Sequence, residues 1–550
     1  MDRATALRAL RKHTNSWLVL SLLGAAVVLL PLFPIILSLL KPPNENWQQI
    51  REYLLADYLL NTLVLVGLTG LFTTALGVSL AWLVAAYDFP LRSFFRWALL
   101  LPLAMPPYIA AYTYSTMFSY TGIVQKTLRM TFDITPNPKW FGIMSMRGAV
   151  FILTLFLFPY VYMIARSFFE RQSGSYIENA LLLGRGPVAT FFRVALPLAR
   201  PAIVGGLTLV IFEVLSDYGV TSYYGIHTIS TAIFQTWFGR YDVDSAIRLA
   251  AYLMVGVIGL FLVERLARRN RQFSASSSRG RPLVPRRLHG AGSWSAVLFC
   301  GGVFAWSFLI PFVQLIVWAS WTYAHVLTPA FGELTFRSVY LALLATGIIL
   351  VLATIVANVH RTNPTTFTYT LSRWVTAGYS IPGAIVAVGI LAFFIGLDRW
   401  LAPLYAAMGM GKAPLVLSMS LVMLLVAYVV RFMATGYNAV EAGFEKVGRT
   451  YMEVSRTLGF GMTKTFFRVD LPLIKGALLS GAILTFVEIV KELPLALLLR
   501  PFNFETLATK AFRYAHDEMI HEASVPSLLI IGVSMAAVYV LNRLGRESAQ

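Results

Sequence analysis

The sequence predicts an all-α polytopic membrane protein with about 12 transmembrane helices, arranged as two homologous six-helix halves. Three observations lead to this prediction: the composition is apolar, apolar stretches of membrane-spanning length recur along the chain, and the second half repeats the first. Of the 550 residues, 57% are hydrophobic and 13% are charged, whereas soluble domains have about 45–50% and about 25%. Most of the chain is therefore expected to lie in lipid.

The apolar stretches set the number of crossings. A helix needs about 20 apolar residues to cross a hydrocarbon core about 30 Å thick. Twelve such stretches begin near residues 17, 60, 95, 147, 200, 246, 293, 338, 375, 414, 475 and 526. The first, Trp17 to Leu40, is too long for the apolar part of a signal peptide, and no small-residue cleavage site follows it. We therefore interpret it as a retained first helix.

The basic residues predict the orientation. The net charge of +19 is compatible with a nucleic-acid partner, but the basic residues are concentrated in three segments. These are the N-terminus with Arg3, Arg8, Arg11 and Lys12, residues 265–289 with eight arginines and no acid, and the C-terminus with Arg543 and Arg546. Basic segments next to membrane helices stay in the cytoplasm. Both termini are thus predicted to be cytoplasmic, with six crossings in each half and no nucleic-acid partner.

The chain is written twice. A basic, serine-rich linker at 265–292 separates a first domain at 1–264 from a second domain at 293–550. A shift of 275 residues lays Tyr176–Asp217 on Tyr451–Glu492 without a gap, and 17 of the 42 positions are identical. Because each copy has six crossings, both should have the same orientation and be related by an axis along the membrane normal. The single cysteine, Cys300, can form no internal disulfide.

The best-matched segment is a polar loop between the fourth and fifth crossings of each half. The two loops are residues 170–197 and 445–472. Each is predicted to form two short helices around a glycine turn. Gly184 and Gly459 suit a helix C-terminus, where positive φ costs little only for glycine. Pro197 and Pro472 suit the first turn of the next helix, where no amide donor is missed.

Both loops contain an acid, a glycine six residues later, and then Leu-Pro. The residues are Glu178, Gly184, Leu196, Pro197, Glu453, Gly459, Leu471 and Pro472. This pattern resembles the cytoplasmic signature loop of the permease subunits of bacterial binding-protein-dependent ABC importers. The family prefers Glu-Ala-Ala at the start of this loop, whereas this chain has Glu178-Asn179-Ala180 and Glu453-Val454-Ser455. The resemblance implies two ABC-importer permease domains with a type I importer-like fold.

In that family the loop forms a coupling helix that docks on an ATPase subunit. Two loops imply two copies of an ABC ATPase subunit and one permease chain per complex. The sequence contains no phosphate-binding loop of its own. We therefore expect a non-catalytic transporter subunit that binds no cofactor, with ATP and Mg²⁺ used by the partner ATPase. A single polar loop is also compatible with a simple connection between crossings, but its duplication at identical spacing favours the coupling interpretation.

Two further stretches bear on the substrate. Asp217–Phe238 and Lys491–Glu518 resemble the matching parts of fused ferric-iron permeases. The resemblance implies ferric iron as substrate, a periplasmic ferric-binding protein as donor and a location in the bacterial inner membrane. Fused permeases for thiamine and phosphonate share the architecture and remain alternatives. A proton-coupled secondary transporter of six plus six helices and a channel are alternatives from other classes, and the duplicated Gly…Leu-Pro loops argue against both.

Four acids occupy matching positions in the fifth and eleventh apolar stretches. They are Glu213, Asp217, Glu488 and Glu492. Their i, i+4 spacing would put each pair on one helix face. At 1.5 Å per residue, Glu213 lies roughly 20 Å from the inner surface, where a carboxylate is costly and is expected to face a cavity. Fe³⁺ is a hard cation that favours oxygen donors, so these acids are predicted to form a transient iron path without a stable metal site. The alternative is a set of polar anchors between helices, with Glu488 paired to Lys491.

Two other groups of polar residues have side chains that can bind a metal ion or lie at a membrane surface. The first group has side chains that can ligate a metal, but we interpret it as a solvated surface of an outer loop that contacts the binding protein. It consists of His516, Asp517, Glu518, His521 and Glu522. The second would either line an exit or anchor the chain at the membrane surface. It consists of Tyr218, Tyr223, Tyr224 and His227.

Overall fold

The computed structural model describes residues 16–135, 137–172, 174–269, 283–410, 415–418 and 420–547. In these residues the protein is almost entirely helical. Its only strands there are β1 (Tyr87–Asp88) and β2 (Arg286–Arg287), which pair in parallel. The predicted basic N-terminal residues, and residues 270–282 of the predicted linker, lie outside the described residues.

The helices of the two halves follow the same order, and short 3-10 and π segments join several of them. In the first half they are α1 (Ser16–Leu29), α2 (Phe33–Ser38), α3 (Glu45–Gln49), α4 (Leu55–Ala86), α5 (Arg92–Ala98), α6 (Pro107–Phe118), α7 (Ile123–Thr131), α8 (Met146–Gln172), α9 (Gly174–Leu182), α10 (Pro187–Thr190), α11 (Leu196–Leu198), α12 (Arg200–Ser216), α13 (Gly219–Tyr223), α14 (Ile229–Phe234) and α15 (Val243–Arg269). In the second half they are α16 (Ala291–Phe304), α17 (Ile310–Val326), α18 (Pro329–Thr362), α19 (Thr366–Thr376), α20 (Gly383–Ala407), α21 (Leu421–Val447), α22 (Thr450–Thr457), α23 (Met462–Thr465), α24 (Leu471–Val490), α25 (Pro494–Leu499), α26 (Leu507–His516) and α27 (Ile520–Glu547).

Eleven of the twelve predicted crossings correspond to apolar helical segments of membrane-spanning length. Within the described residues, nine helical segments are long and apolar enough to cross a membrane, or eleven if each of two bent pairs is one span. The sixth predicted crossing falls on α15, which is not among these eleven segments; it has 27 residues and is about 40 Å long at 1.5 Å per residue. The predicted all-α membrane fold is therefore confirmed.

The third and fifth predicted crossings are not straight helices. Arg92–Ala104 and Pro107–Thr131 meet at 90°, and Pro187–Leu198 and Arg200–Ser216 meet at 70°. A proline lies in the first turn after each bend, and proline begins a helix more readily than it continues one because it has no N–H. In the second half Gly476 occupies the position of Pro201, and Met462–Val490 is a single span there.

The first helix of each half packs against the other half. Helix α1 lies against α18, α19 and α21, and Trp17 Nε1 donates a hydrogen bond to Thr463 Oγ1 at 3.0 Å. Helices α16 and α17 lie against α5 and α6, where the Tyr114 hydroxyl donates to the carbonyl of Trp306. The two halves are therefore interlocked rather than placed side by side.

The repeat extends to individual hydrogen bonds. The N–H of Ile229, at the start of α14, donates to Thr62 Oγ1 at 3.1 Å. In the second half the N–H of Leu507, at the start of α26, donates to Ser338 Oγ at 3.0 Å. Each bond satisfies a free N–H at a helix N-terminus and holds a short helix against the long helix α4 or α18.

Candidate coupling loops and central cavity

The two predicted coupling loops have the same backbone conformation. In the first, Gly184 follows α9 with a φ of +77°, and α10 begins at Pro187. In the second, Gly459 follows α22 with a φ of +82°, and α23 begins at Met462. Both glycines thus have the left-handed conformation that the sequence predicted.

The same hydrogen bond closes both turns. The N–H of Arg185 donates to the carbonyl of Ala180 at 3.1 Å, and the N–H of Phe460 donates to the carbonyl of Ser455 at 3.2 Å. This bond spans the glycine and is typical of a helix that ends with a residue of positive φ. The two loops therefore present their short helices in the same way.

The other predicted loop residues lie on the surface or just beneath it. Glu178 is half-buried and Glu453 is exposed. Leu196 and Pro197 are half-buried in α11. Leu471 is half-buried and Pro472 is exposed, both in the first turn of α24. The role of these residues in docking stays a prediction.

Apolar side chains on both loops are exposed at matched positions. The matched pairs are Tyr176 with Tyr451, Leu183 with Leu458, and Phe192 with Phe467. Every one of these six side chains is more than half exposed. Exposed apolar patches mark interaction surfaces or lipid contacts. These six residues were not predicted as part of the site, although their recurrence at the 275-residue shift is visible in the sequence.

A central cavity of about 110 Å³ lies between the two halves, with room for several water molecules. Most of its lining residues form pairs separated by 275 or 276 positions. The pairs are Pro107 with Gly383, Phe156 with Arg431, Leu157 with Phe432, Glu213 with Glu488, Ser216 with Lys491, Asp217 with Glu492, Tyr218 with Leu493, and Gly219 with Pro494. The cavity therefore lies on the axis that relates the two halves.

All four predicted pathway acids line this cavity. Glu213 is in the last turn of α12, and Glu488 is in the last turn of α24. Asp217 and Glu492 lie beyond the ends of these helices, which are at Ser216 and Val490. The expectation that each pair shares one helix face is therefore wrong.

The second acid of each pair accepts hydrogen bonds from the start of the next short helix. The Asp217 carboxylate accepts hydrogen bonds from the N–H groups of Val220 at 3.4 Å and Thr221 at 3.0 Å. Glu492 accepts one from the N–H of Leu495 at 3.2 Å. Asp217 and Glu492 each lie one residue before the N-cap, and their carboxylates satisfy N–H groups that have no partner within the short helix. The chain therefore leaves the long helix at each acid and starts a new one.

Two basic side chains share the cavity with the acids. Lys491 Nζ lies 2.8 Å from Glu488 Oε1, which is the ion pair that the alternative interpretation proposed. Arg431 on α21 donates from Nη2 to Ser216 Oγ at 3.2 Å and from Nη1 to the carbonyl of Ile381. Arg431 was not predicted from the sequence to line the cavity. Its position as the first charge in the apolar helix α21 was the available signal, because charged residues inside membranes are usually functional.

Comparison with known proteins bears on the identity of the chain. The family described as the binding-protein-dependent transport system inner membrane component matches it twice, over residues 73–272 and 349–546. The chain belongs to this permease family. It is a fused two-domain permease of a bacterial ABC importer, a multi-pass inner-membrane protein that works with ATPase subunits and a periplasmic binding protein.

Relatives of this permease carry different substrates. An Fe(3+)-transport system permease protein of Haemophilus influenzae is 24% identical over 496 residues, which cover 89% of this chain and 90% of that protein. A ferric transport system permease protein of Actinobacillus pleuropneumoniae is 23% identical over 447 residues, covering 78% of this chain and 62% of that protein. A sulfate transport system permease protein of Escherichia coli is 28% identical over 198 residues, covering 35% of this chain and 68% of that protein.

The permease holds no compact group of metal ligands in its described residues: no three His, Cys, Asp or Glu side chains there lie close enough together to hold an ion. The four acids thus face one cavity without forming a coordination sphere in this conformation. In the predicted outer cluster, the ring of His521 packs 5.5 Å from Trp318 and 5.4 Å from Trp321.

The predicted tyrosine group of the permease is divided. Tyr218 lines the central cavity and stacks on Phe234 at 3.7 Å. Tyr224 is buried, and its hydroxyl donates to the carbonyl of Ala111 at 3.1 Å. Tyr218 is therefore placed to line a path, whereas Tyr224 is part of the packed core and is not an anchor at the membrane surface.

Proposed function

We propose that this permease transports ferric iron, delivered by a periplasmic ferric-binding protein, through the central cavity. The observation that carries the proposal is that four carboxylates, two from each repeat, line one cavity on the repeat axis. Carboxylate oxygens are the donors that a small hard cation such as Fe³⁺ favours. Two relatives named as ferric transport permeases support the same substrate.

The charge balance of the cavity supports a cation. Its lining contains four acidic and two basic side chains, which gives a formal charge of −2. A cavity with net negative charge attracts cations. An entering cation would compete with Lys491 for Glu488, so the ion pair offers an exchangeable place in the path.

A tetrahedral oxyanion such as sulfate is the second candidate. Arg431 and Lys491 favour it, since guanidinium and ammonium groups recognise oxyanions, and so does the sulfate permease among the relatives. The existing partners of these two basic side chains argue against an oxyanion. Arg431 donates to Ser216 and Ile381, and Lys491 pairs with Glu488, so protein acceptors already engage both cations.

Energy would come from two ATPase subunits docked on the two loops of one permease chain. The docking residues would be Glu178, Gly184, Leu196, Pro197, Glu453, Gly459, Leu471 and Pro472. The identical turns and the matched exposed apolar side chains support this part of the proposal. The permease itself would be non-catalytic, and ATP and Mg²⁺ would be bound by the ATPase.

The loops would lie on the cytoplasmic side, together with both termini and the linker 265–292 between the two domains. Trp17, at the start of α1, bonds to Thr463 in the second loop. Strand β2, at the end of the linker, pairs with β1, which directly follows α4. The basic residues of the N-terminus and linker support assignment of this end to the cytoplasm.

The test replaces acids in the reconstituted complex of permease, ATPase and ferric-binding protein. Glu213→Gln together with Glu488→Gln should preserve assembly and ATP hydrolysis while lowering iron uptake at least about tenfold, which corresponds to about 1.4 kcal/mol. The single variant Glu213→Gln is easier to interpret than the double variant, because Glu488→Gln also removes the ion-pair partner of Lys491. The exposed Glu333→Gln serves as control. Wild-type iron uptake by the double variant would remove these acids from the path, and sulfate uptake by the unmodified complex would favour the second candidate.

A further inference from the structure

A buried ion pair lies beneath the second coupling loop. Arg361, in the last turn of α18, places Nη1 2.7 Å from Oδ1 of Asp470, the residue before α24. The two side chains are only 6% and 2% exposed. Because removing one partner of a buried pair leaves an uncompensated charge, such a pair resists separation.

The same guanidinium reaches the other end of the loop. Its Nη2 donates to the carbonyl of Gly448, two residues before α22, and it lies 4.6 Å from the ring centroid of Phe444. Asp470 follows α23, so the side chain of Arg361 holds the second loop just before α22 and again after α23, the two short helices of that loop. Motion of residues 448–470 relative to α18 must break these contacts.

The first repeat is attached differently. At the 276-residue shift that pairs Thr62 with Ser338, Ala85 occupies the position of Arg361, and at the 275-residue shift of the loops Ala195 occupies the position of Asp470. There Trp82 packs 5.3 Å from the rings of Phe169 and Phe191. The first loop is also followed by the 70° bend before α12, whereas the second continues into the single span Met462–Val490. Apolar ring contacts such as those of Trp82 allow two segments to shift past each other more easily than a buried ion pair with directional hydrogen bonds does.

We propose that Arg361 is a positioning residue that fixes the second coupling loop to α18, so that the two loops transmit ATPase movement unequally. The proposal rests on the proposed function of residues 445–472 as an ATPase-docking loop. The second loop moves as one body with the bundle. The first loop has a hinge between itself and the cavity.

The test installs the residues of the first repeat. Arg361→Ala with Asp470→Ala removes both charges together, and exchanging a buried pair for apolar residues is often neutral for stability. Single spin labels are attached at the exposed matched positions by Leu183→Cys or Leu458→Cys, in a full chain with the buried Cys300→Ala. We expect the label at 458 to be less mobile than the label at 183, and the double variant to abolish this difference. Unchanged mobility at 458 in the double variant would overturn the proposal.

A control and a functional readout separate positioning from general stability. Glu333→Ala with Arg337→Ala removes an exposed ion pair on the same helix, α18, and should leave both labels unchanged. With added ATPase, the Arg361/Asp470 double variant should need about fivefold more ATPase for half-maximal hydrolysis, a typical small coupling effect, at an unchanged maximal rate. Arg361→Lys, which keeps a charge for Asp470, should restore much of the loss. An unchanged ATPase requirement would contradict the positioning role.

Failure of the proposed function is recognised separately. The mobilities of the spin labels are measured without substrate or ATPase. Absence of iron uptake by the unmodified complex would therefore refute the ferric substrate, while the label mobilities would still test the positioning role of Arg361. If the ATPase still binds fully when the glycine turns of both loops are disrupted, the assignment of these loops as docking sites is refuted.

Discussion

Replacing Gly184 and Gly459 with valine tests whether these turns hold ATPase-docking loops. Both glycines have positive φ, +77° and +82°. Apart from the adjoining residues, no heavy atom lies within 4 Å of the position that a Cβ would take at either glycine, so the expected cost is that of the backbone conformation. For an L residue in the left-handed region that cost is roughly 1–2 kcal/mol, and it is greater for a β-branched residue.

This cost sets the size of the expected effect. Since about 1.4 kcal/mol is a factor of ten, each loop should occupy its docking conformation about 5- to 30-fold less often. We expect the ATPase subunit to bind the double variant with correspondingly lower affinity. The measurement is a titration of purified ATPase onto the permease immobilised in lipid nanodiscs, with thermal unfolding of the permease recorded in parallel.

A matched control lies two residues further along each loop. Gly186 and Gly461 also have open space around them, but their φ values are −65° and −68° with ψ near 160°. Valine adopts this extended conformation readily, so Gly186→Val with Gly461→Val should bind the ATPase almost as well as the unmodified chain. Equal affinities of the two double variants would refute the reasoning, because the variants differ chiefly in the sign of φ that valine must adopt.

Two other predictions concern the cavity and the stoichiometry. Lys491→Ser installs the residue of the first repeat and removes the ion pair with Glu488. Tb³⁺ should then bind several-fold more tightly, measured by luminescence sensitised by the cavity tyrosines. Lys475→Ser, on the exposed face of α24, is the control, and equal Tb³⁺ binding by the two variants would contradict displacement of Lys491 by a cation. Native mass measurement of the assembled complex should find one permease chain with two ATPase subunits, and two permease chains would overturn the single-chain pathway.

The membrane fold and its duplication could be predicted because both leave strong local signals. An apolar run of about 20 residues has few stable alternatives to a membrane helix. The 17 identities in 42 positions identified the paired loops and, with them, the paired acids. The glycine turns could be predicted for the same reason, since positive φ depends on the identity of one residue.

The ends of the long helices could not be predicted from periodicity. Asp217 and Glu492 have helical spacing from Glu213 and Glu488, yet each accepts hydrogen bonds from N–H groups of the following short helix. Whether an acid continues one helix or accepts hydrogen bonds from the start of the next depends on the competition between these hydrogen bonds and those of the helix ladder. Spacing alone does not encode that balance.

Contacts between the halves also escaped the sequence analysis. The interlocked first helices and the position of Arg431 depend on which segments become neighbours in space, and the apolar pattern of a membrane helix carries little information about its partner. Arg361 and Asp470 are 109 positions apart, and neither has a charged counterpart in the first half. Comparison of the two repeats therefore could not reveal this ion pair.

The crossing of α1 to the other half has a consequence for the order of biogenesis. Trp17 and its hydrogen-bond partner Thr463 are 446 positions apart, and at about 5–20 residues per second their synthesis is separated by roughly 20–90 s. During that interval the face of α1 that contains Ser21 and Gly24, both buried in the finished protein, has no protein surface of the second half to rest against. Helix α1 therefore cannot complete its packing until the second half has been made, and a chain released after residue 264 would leave that face open to lipid.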